Sequence, residues 1–151
     1  MRLVLTFLSA LVLAWPSAAA EKAPFRGEIK QITHGPMTHF FGYIGHVQNI
    51  PWNQSGRYMV ALQTDFHDRM PGPDDPANVV LIDTKNDYRV KVIEQSRGWN
   101  PQQGTMFYWN PAKPETQFFF NDRDRKTGKV FCVLYDIEQA RRIREYRFDD
   151  T

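Results

Sequence analysis

The sequence is poor in cysteine and has no marked excess of charge of either sign. Its 151 residues include one cysteine, Cys132, which excludes a disulfide framework and a cysteine-rich zinc module. Since 19 basic residues stand against 17 acidic ones, no strong attraction to nucleic acid or to an acidic membrane surface is expected. Cys132 lies in the apolar run 130–135, where a buried and unreactive thiol is expected.

The sequence also lacks the short motifs that mark common active sites. It contains no nucleophile elbow, phosphate-binding loop, dinucleotide fingerprint or His-Glu-x-x-His motif, each of which has a spacing that its chemistry requires. The histidines are not placed in the close pairs that metal binding favours. We therefore predict neither a bound metal nor a cofactor. The four histidines are His34, His39, His46 and His67.

Long apolar runs are absent after the first residues of the chain, where the pattern is typical of an export signal. A basic start at Met1-Arg2 precedes the apolar residues 3–15 and a small-residue cleavage site that ends at Ala20. We expect cleavage after Ala20, because a transmembrane helix needs about 20 apolar residues and this run is shorter. An uncleaved anchor is the alternative. The processed chain would be periplasmic or secreted, without an integral membrane segment.

Aromatic residues are plentiful, at 14% of the chain, and they favour β-structure. After residue 20 no helical spacing of apolar residues persists, whereas short runs of β-forming residues alternate with clusters of Pro, Gly, Asn and Asp. These runs predict an all-β fold with strands at 58–66, 78–83, 89–93, 105–109, 117–121, 129–135 and 141–148.

Part of this pattern occurs twice. Trp-Asn pairs at 52–53 and 109–110 open two similar stretches, and each continues through a strand that ends near Asp65 or Asp122. A later strand in each stretch ends in a further aspartate. A four-stranded unit that recurs at such an interval is typical of the blades of a β-propeller. Two unrelated β-meanders that share common turn residues are the alternative.

The repeat divides the chain into four parts. Residues 1–20 are the predicted signal peptide, 21–50 a leading segment with a possible closing strand, and 51–96 and 97–151 two four-stranded antiparallel blades. A closed propeller needs at least about four blades, and two blades alone leave an exposed sheet edge. We therefore expect an N-terminal fragment of an incomplete propeller, completed by self-association or by missing downstream blades.

Several short stretches together resemble the secreted bacterial TolB-like β-propellers, a family distantly related to oligogalacturonate lyase. The resemblance covers residues 39–147 and implies the propeller fold. The metal-binding histidines of the related lyases have no counterpart here, and residues 44–50 depart from the family by being longer and free of acidic side chains. The resemblance rests on Phe40-Phe41-Gly42-Tyr43, Pro51-Trp52-Asn53, Asp65-Phe66, Asp68-Arg69, Trp99-Asn100-Pro101-Gln102-Gln103-Gly104 and Asn121-Asp122-Arg123.

Ligands of propellers contact the connections between blades, so the segment 97–104 and the strand end 121–123 form the candidate ligand site. Arginine suits a carboxylate, tryptophan offers a flat ring, and amides offer donors and acceptors to hydroxyl groups. The alternative is structural, with Trp99 packed between blades, glutamine amides tying loops together and Asp122 accepting backbone N–H bonds. The candidates are Arg97, Trp99, Asn100, Gln102, Gln103, Asn121, Asp122 and Arg123.

These patterns predict an exported binding module for a glycan or a protein ligand. One alternative is part of a carbohydrate-active enzyme that resembles oligogalacturonate lyase and performs β-elimination on uronates. In that enzyme His39 would be the general base and Arg97 would stabilise an enolate-like charge. A scaffold protein of the cell envelope is the other alternative. We expect no catalysis from two blades alone, because groups from further blades would be required.

Overall fold

A computed structural model describes residues 26–42 and 50–148. The predicted signal peptide, residues 21–25 and 43–49 of the leading segment, and residues 149–151 lie outside the described residues, so cleavage after Ala20 stays a prediction. The chain divides into two units, 1–30 and 31–151. Residues 26–30 of the first unit are exposed and have no regular secondary structure.

The second unit is built from strands. The described residues form two four-stranded antiparallel sheets, with strands paired in chain order in each and neither sheet closed into a barrel. They form no helix, and hence none that could cross a membrane. The first sheet contains β1 (Thr38–Phe40), β2 (Tyr58–Thr64), β3 (Ala77–Asp83) and β4 (Arg89–Ser96); the second contains β5 (Tyr108–Trp109), β6 (Gln117–Arg123), β7 (Val130–Asp136) and β8 (Arg141–Tyr146).

The predictions of an all-β fold and of two four-stranded antiparallel sheets are confirmed. The strand in the leading segment, β1, pairs with β2 and so completes the first sheet. The predicted strand at 105–109 is shorter than expected, because only Tyr108 and Trp109 pair with β6.

The repeated aspartates stabilise equivalent turns. Asp83 Oδ1 accepts the backbone N–H of Lys85 at 3.1 Å after β3. Asp136 Oδ1 accepts the backbone N–H groups of Glu138 and Gln139, both at 3.0 Å, after β7. A short carboxylate side chain can satisfy such turn donors locally, which is why both strand ends carry the same residue.

The two sheets pack face to face around one aromatic core. Phe118 on β6 is fully buried, and its ring centroid lies 5.5–5.9 Å from those of four other rings. Burying these rings together with the apolar side chains of the first sheet stabilises the association of the two sheets. The buried side chains are Val60, Leu62, Ala77 and Val79 from the first sheet and Phe118, Phe120, Phe131, Val133 and Tyr135 from the second, joined by Phe41, Trp99, Phe107 and Trp109.

The two sheets bury opposite faces against each other, as consecutive repeats of one unit would, and not the same face of each repeat. When the repeats are aligned on Asp65 and Asp122, Leu62 of the first sheet corresponds to Phe119 of the second. Leu62 faces the shared core, whereas Phe119 lies on the outer face of the second sheet and contacts Tyr146. The outer face of the second sheet is therefore the counterpart of the face that the first sheet buries, as in consecutive propeller blades.

The segment that connects the sheets, residues 97–107 (the link), packs backbone against backbone. Gly104 has a φ of +63°, and a Cβ atom there would lie 2.2 Å from the carbonyl oxygen of Phe41. Gly98 also lies close to the second sheet, since a Cβ atom there would lie 2.8 Å from the carbonyl carbon of Asp122. Only residues without a side chain allow the link to lie this close to the strands.

Replacing Gly104 by alanine tests this packing. Gly104→Ala should lower the free energy of unfolding by about 3 kcal/mol or more, because left-handed strain and a backbone clash act together. Gly128→Ala is the matched control, since Gly128 has a φ of +73° and no atom within 4 Å of its added Cβ. It should lose only about 1–2 kcal/mol. Equal losses in urea unfolding would contradict the close-approach argument.

Candidate functional site

Asp122, one of the predicted ligand residues, lies at the junction of the two sheets. Its side chain is buried, and Oδ1 accepts the backbone N–H groups of Arg97 at 2.9 Å and Arg123 at 2.8 Å. Oδ2 accepts a hydrogen bond from Arg142 Nη2 at 2.8 Å. Three donors therefore compensate the buried charge, and Asp122 has the structural role given by the alternative interpretation.

Two buried hydroxyl groups fix the link to β6. Ser96 Oγ donates to the carbonyl oxygen of Asn121 at 2.6 Å, and Thr105 Oγ1 donates to the same oxygen at 2.5 Å. The backbone N–H of Asn121 returns a hydrogen bond of 2.8 Å to the carbonyl oxygen of Thr105. Both ends of the link are thereby attached to one residue of the second sheet.

Asn100 organises the turn within the link. Its Oδ1 accepts the backbone N–H groups of Gln102 at 3.0 Å and Gln103 at 2.7 Å, and its Nδ2 donates to Gln103 Oε1 at 3.2 Å. The backbone groups of Asn100 and Gly104 also bond to each other in both directions. These amides hold the loop in shape, as the alternative interpretation stated for the glutamines.

Trp99 is 4% exposed. Its Nε1–H donates to the carbonyl oxygen of Asp75 at 2.9 Å, and its ring lies 5.8 Å from that of Phe40 and 5.6 Å from that of Phe66. An indole with its N–H bonded and its faces covered adds to the core. Stacking of a sugar on this ring would require the core to open.

Five of the predicted ligand residues nevertheless come together around one small notch. The notch has a volume of about 150 Å³, below the roughly 300–1,000 Å³ of ordinary ligand sites. Arg123 is partly engaged there, because its Nη1 donates to the carbonyl oxygen of Gly128 at 2.9 Å. Ligand binding by these residues stays a prediction. The five are Trp99, Asn100, Gln103, Asn121 and Arg123.

The two candidate catalytic residues are not brought together. His39 lies on β1 and Arg97 follows β4, and these strands are the opposite edges of the first sheet. Three strand spacings, about 14 Å between backbones, separate the two strands, so the sheet does not place the two residues side by side. The described residues contain no group of three or more His, Cys, Asp or Glu side chains that could hold a metal ion.

His39 instead ends a row of polar side chains that crosses the first sheet. Gln63 Nε2 donates to His39 Nε2 at 2.9 Å, Asn78 Nδ2 to Gln63 Oε1 at 3.0 Å, and Gln95 Nε2 to Asn78 Oδ1 at 3.1 Å. Because the Gln63 amide donates, His39 Nε2 must be an unprotonated acceptor. Burial lowers the pKa of His39 from its ordinary value of 6.5, and this row favours the neutral ring.

Arg142 on β8 connects the two sheets through charge. Its Nε lies 2.9 Å from Glu94 Oε2 on β4, and its Nη2 bonds to Asp122 on β6. A third contact of 3.2 Å joins Nη1 to Glu145. Partial burial opposes the charged form, but hydrogen bonds to Glu94 and Asp122 raise the pKa of Arg142 above its ordinary value.

A concave surface larger than the notch lies at the other end of the strands and was not predicted. This groove has a volume of about 840 Å³, within the range of ligand sites. Four separate turn regions contribute to the groove, so no contiguous motif in the sequence could have revealed it. The alternation of charged and apolar residues in the strand 89–93 was the one sequence signal for this surface. Its polar lining includes Asn53, Arg57, Asp83, Arg89, Lys91 and Glu115.

Comparison with known proteins adds no relative, since no family model, no curated protein and no solved structure matches this chain.

Removing the guanidinium of Arg142 tests its role between the sheets. Arg142→Met should lower the free energy of unfolding by about 1.5–3 kcal/mol, because Glu94 and Asp122 lose a charged donor in a partly buried position. Arg147→Met is the control, since Arg147 makes two ion pairs but its side chain is 52% exposed. Its loss should be much smaller. Similar losses in denaturant unfolding would show that Arg142 is only another surface ion pair.

The histidine row predicts a pH dependence of stability. The folded state lowers the pKa of His39, so the unfolded chain binds the proton more tightly, and stability falls as pH drops through 6.5 and below. The free energy of unfolding should therefore decrease between about pH 7 and pH 5 more steeply for the natural chain than for His39→Gln. Identical slopes in unfolding titrations would contradict the role of His39.

Proposed function

We propose that this chain is the blade-forming part of an exported TolB-like β-propeller, and that it binds a glycan or protein ligand without catalysing a reaction. The first support for this proposal is the architecture. The two antiparallel sheets follow each other in the chain and bury opposite faces against each other, as successive propeller blades do. A propeller presents its connecting turns as neighbouring surfaces at the ends of the strands, where ligands bind.

The groove between the strand ends is the observation that carries the binding function. It is an open space of about 840 Å³ that takes residues from both sheets. Apolar side chains, including Leu81, Val90 and Ile137, lie beside charged groups and amides in its lining. A pre-formed concavity with an apolar surface and several polar groups is the usual form of a ligand site.

Binding without turnover is favoured over β-elimination by the positions of the candidate catalytic groups. His39 is engaged with Gln63 on one edge of the first sheet, and Arg97 follows the strand at the opposite edge. A general base must reach the proton that it removes within about 3 Å, directly or through one water molecule. These two residues therefore give no support to a shared reaction centre.

A binding screen combined with an activity assay tests the proposal. The purified chain is passed over immobilised oligosaccharides, including oligogalacturonides, and over immobilised peptides of defined charge. We expect saturable binding to at least one ligand and no rise in the ultraviolet absorbance of unsaturated uronates. Arg57→Ala, in the groove, should weaken binding, whereas Arg125→Ala, exposed on the β6–β7 turn, should not.

Two results would contradict the proposal. Accumulation of unsaturated uronates with the purified chain would show catalysis, and absence of saturable binding to every glycan and peptide would remove the binding function.

A further inference from the structure

The groove has charged walls of opposite sign, and these charges decide what it can hold. We infer that it binds an extended peptide whose acidic side chains meet Arg89 and Lys91 and whose basic side chains meet Glu115 and Glu138. This inference rests on the proposed binding function and names the class of ligand for the groove.

The basic wall belongs to the first sheet. Arg89 and Lys91 pair with Asp83 and Leu81 across the β3–β4 ladder, and both lie on the same face because they are two residues apart on one strand. Both are exposed, and neither forms an ion pair within residues 26–42 and 50–148. Two positive charges therefore face the groove at the spacing of alternate strand residues, about 6.8 Å.

The acidic wall comes from turns of the second sheet. Glu115 Oε2 accepts hydrogen bonds from Asn53 Nδ2 and Ser55 Oγ, both at 2.7 Å. These neutral donors hold the carboxylate in place but leave its charge uncompensated. Glu138 follows Asp136 on the β7–β8 turn and is exposed. Neither glutamate contacts a cationic side chain in the described part of the chain.

The remaining charges of the groove neutralise each other. Arg57 Nη2 lies 3.3 Å from Asp83 Oδ2, and the Arg57 guanidinium lies 4.8 Å from the centre of the Tyr58 ring. The groove thus keeps two uncompensated cations on one wall and two uncompensated anions on the other. A polyanion would be repelled by the glutamates and a polycation by Arg89 and Lys91.

An extended peptide matches this arrangement because its alternate side chains point in opposite directions. Acidic residues at alternate positions would lie about 6.8 Å apart, which is the spacing of Arg89 and Lys91 along β4. The intervening basic residues would point towards Glu115 and Glu138. A neutral sugar would cover the same four charges without compensating them, which is unfavourable.

The test uses a labelled, end-capped hexapeptide of alternating glutamate and lysine, with binding to the full chain measured by fluorescence anisotropy. We expect saturable binding that weakens with added salt. Lys91→Glu should weaken it by about tenfold, since one attraction becomes a repulsion. Lys126→Glu is the matched control, because Lys126 is exposed on the β6–β7 turn, at the opposite end of the second sheet from the groove. Its affinity should remain unchanged.

Two further peptides distinguish a groove with one basic and one acidic wall from a surface of a single charge. Hexaglutamate and hexalysine should bind the natural chain more weakly than the alternating peptide. Glu138→Lys should strengthen hexaglutamate binding and weaken binding of the alternating peptide. All variants should unfold at urea concentrations close to that of the natural chain, because the altered side chains are exposed.

Tighter binding of either homopolymer to the natural chain would overturn the inference. Binding of an oligosaccharide in the absence of any peptide binding would also overturn it, while leaving the proposed binding function intact. Failure of both ligand classes to bind would overturn the inference and the proposed function together.

Discussion

The shared hydrophobic core around Phe118 holds the two sheets together, and most other features of the molecule follow from that packing. Four rings lie within 6 Å of the Phe118 ring, and the core that they form takes side chains from both sheets. A four-stranded sheet has two faces, so burying one face of each sheet leaves the other for further contacts. This packing also brings the turns at the strand ends together, which creates the groove.

Close packing of the sheets buries polar groups in and beside the link, and a small set of side chains forms hydrogen bonds with them. Asp122 accepts three hydrogen bonds, Ser96 and Thr105 share one carbonyl oxygen, and Arg142 joins three carboxylates. Buried polar atoms without partners are costly. Polar residues concentrated near a connection between sheets can therefore serve the fold as well as a ligand.

The strands could be predicted because alternating apolar residues and turn formers are local signals. Asp83 and Asp136 revealed the repeat, since each accepts turn donors within a few residues. The short strand β1 was harder to predict, because three residues carry little periodicity and their partner lies in β2. The predicted strand 105–109 was too long, because Thr105 and Phe107 are used by the link and the core.

Local patterns in the chain were enough to predict the all-β class, most of the strands and the grouping of the candidate residues along the link, because these depend on neighbours in the sequence. Tertiary structure decided which face of each sheet is buried, and with it that Trp99 lies in the core and that His39 and Arg97 lie on opposite edges. The packing of the sheets also formed the groove, whose charged walls come from segments far apart in the chain. The physical reason is that burial and charge compensation are properties of surfaces in contact, and these surfaces exist only after the two sheets have packed.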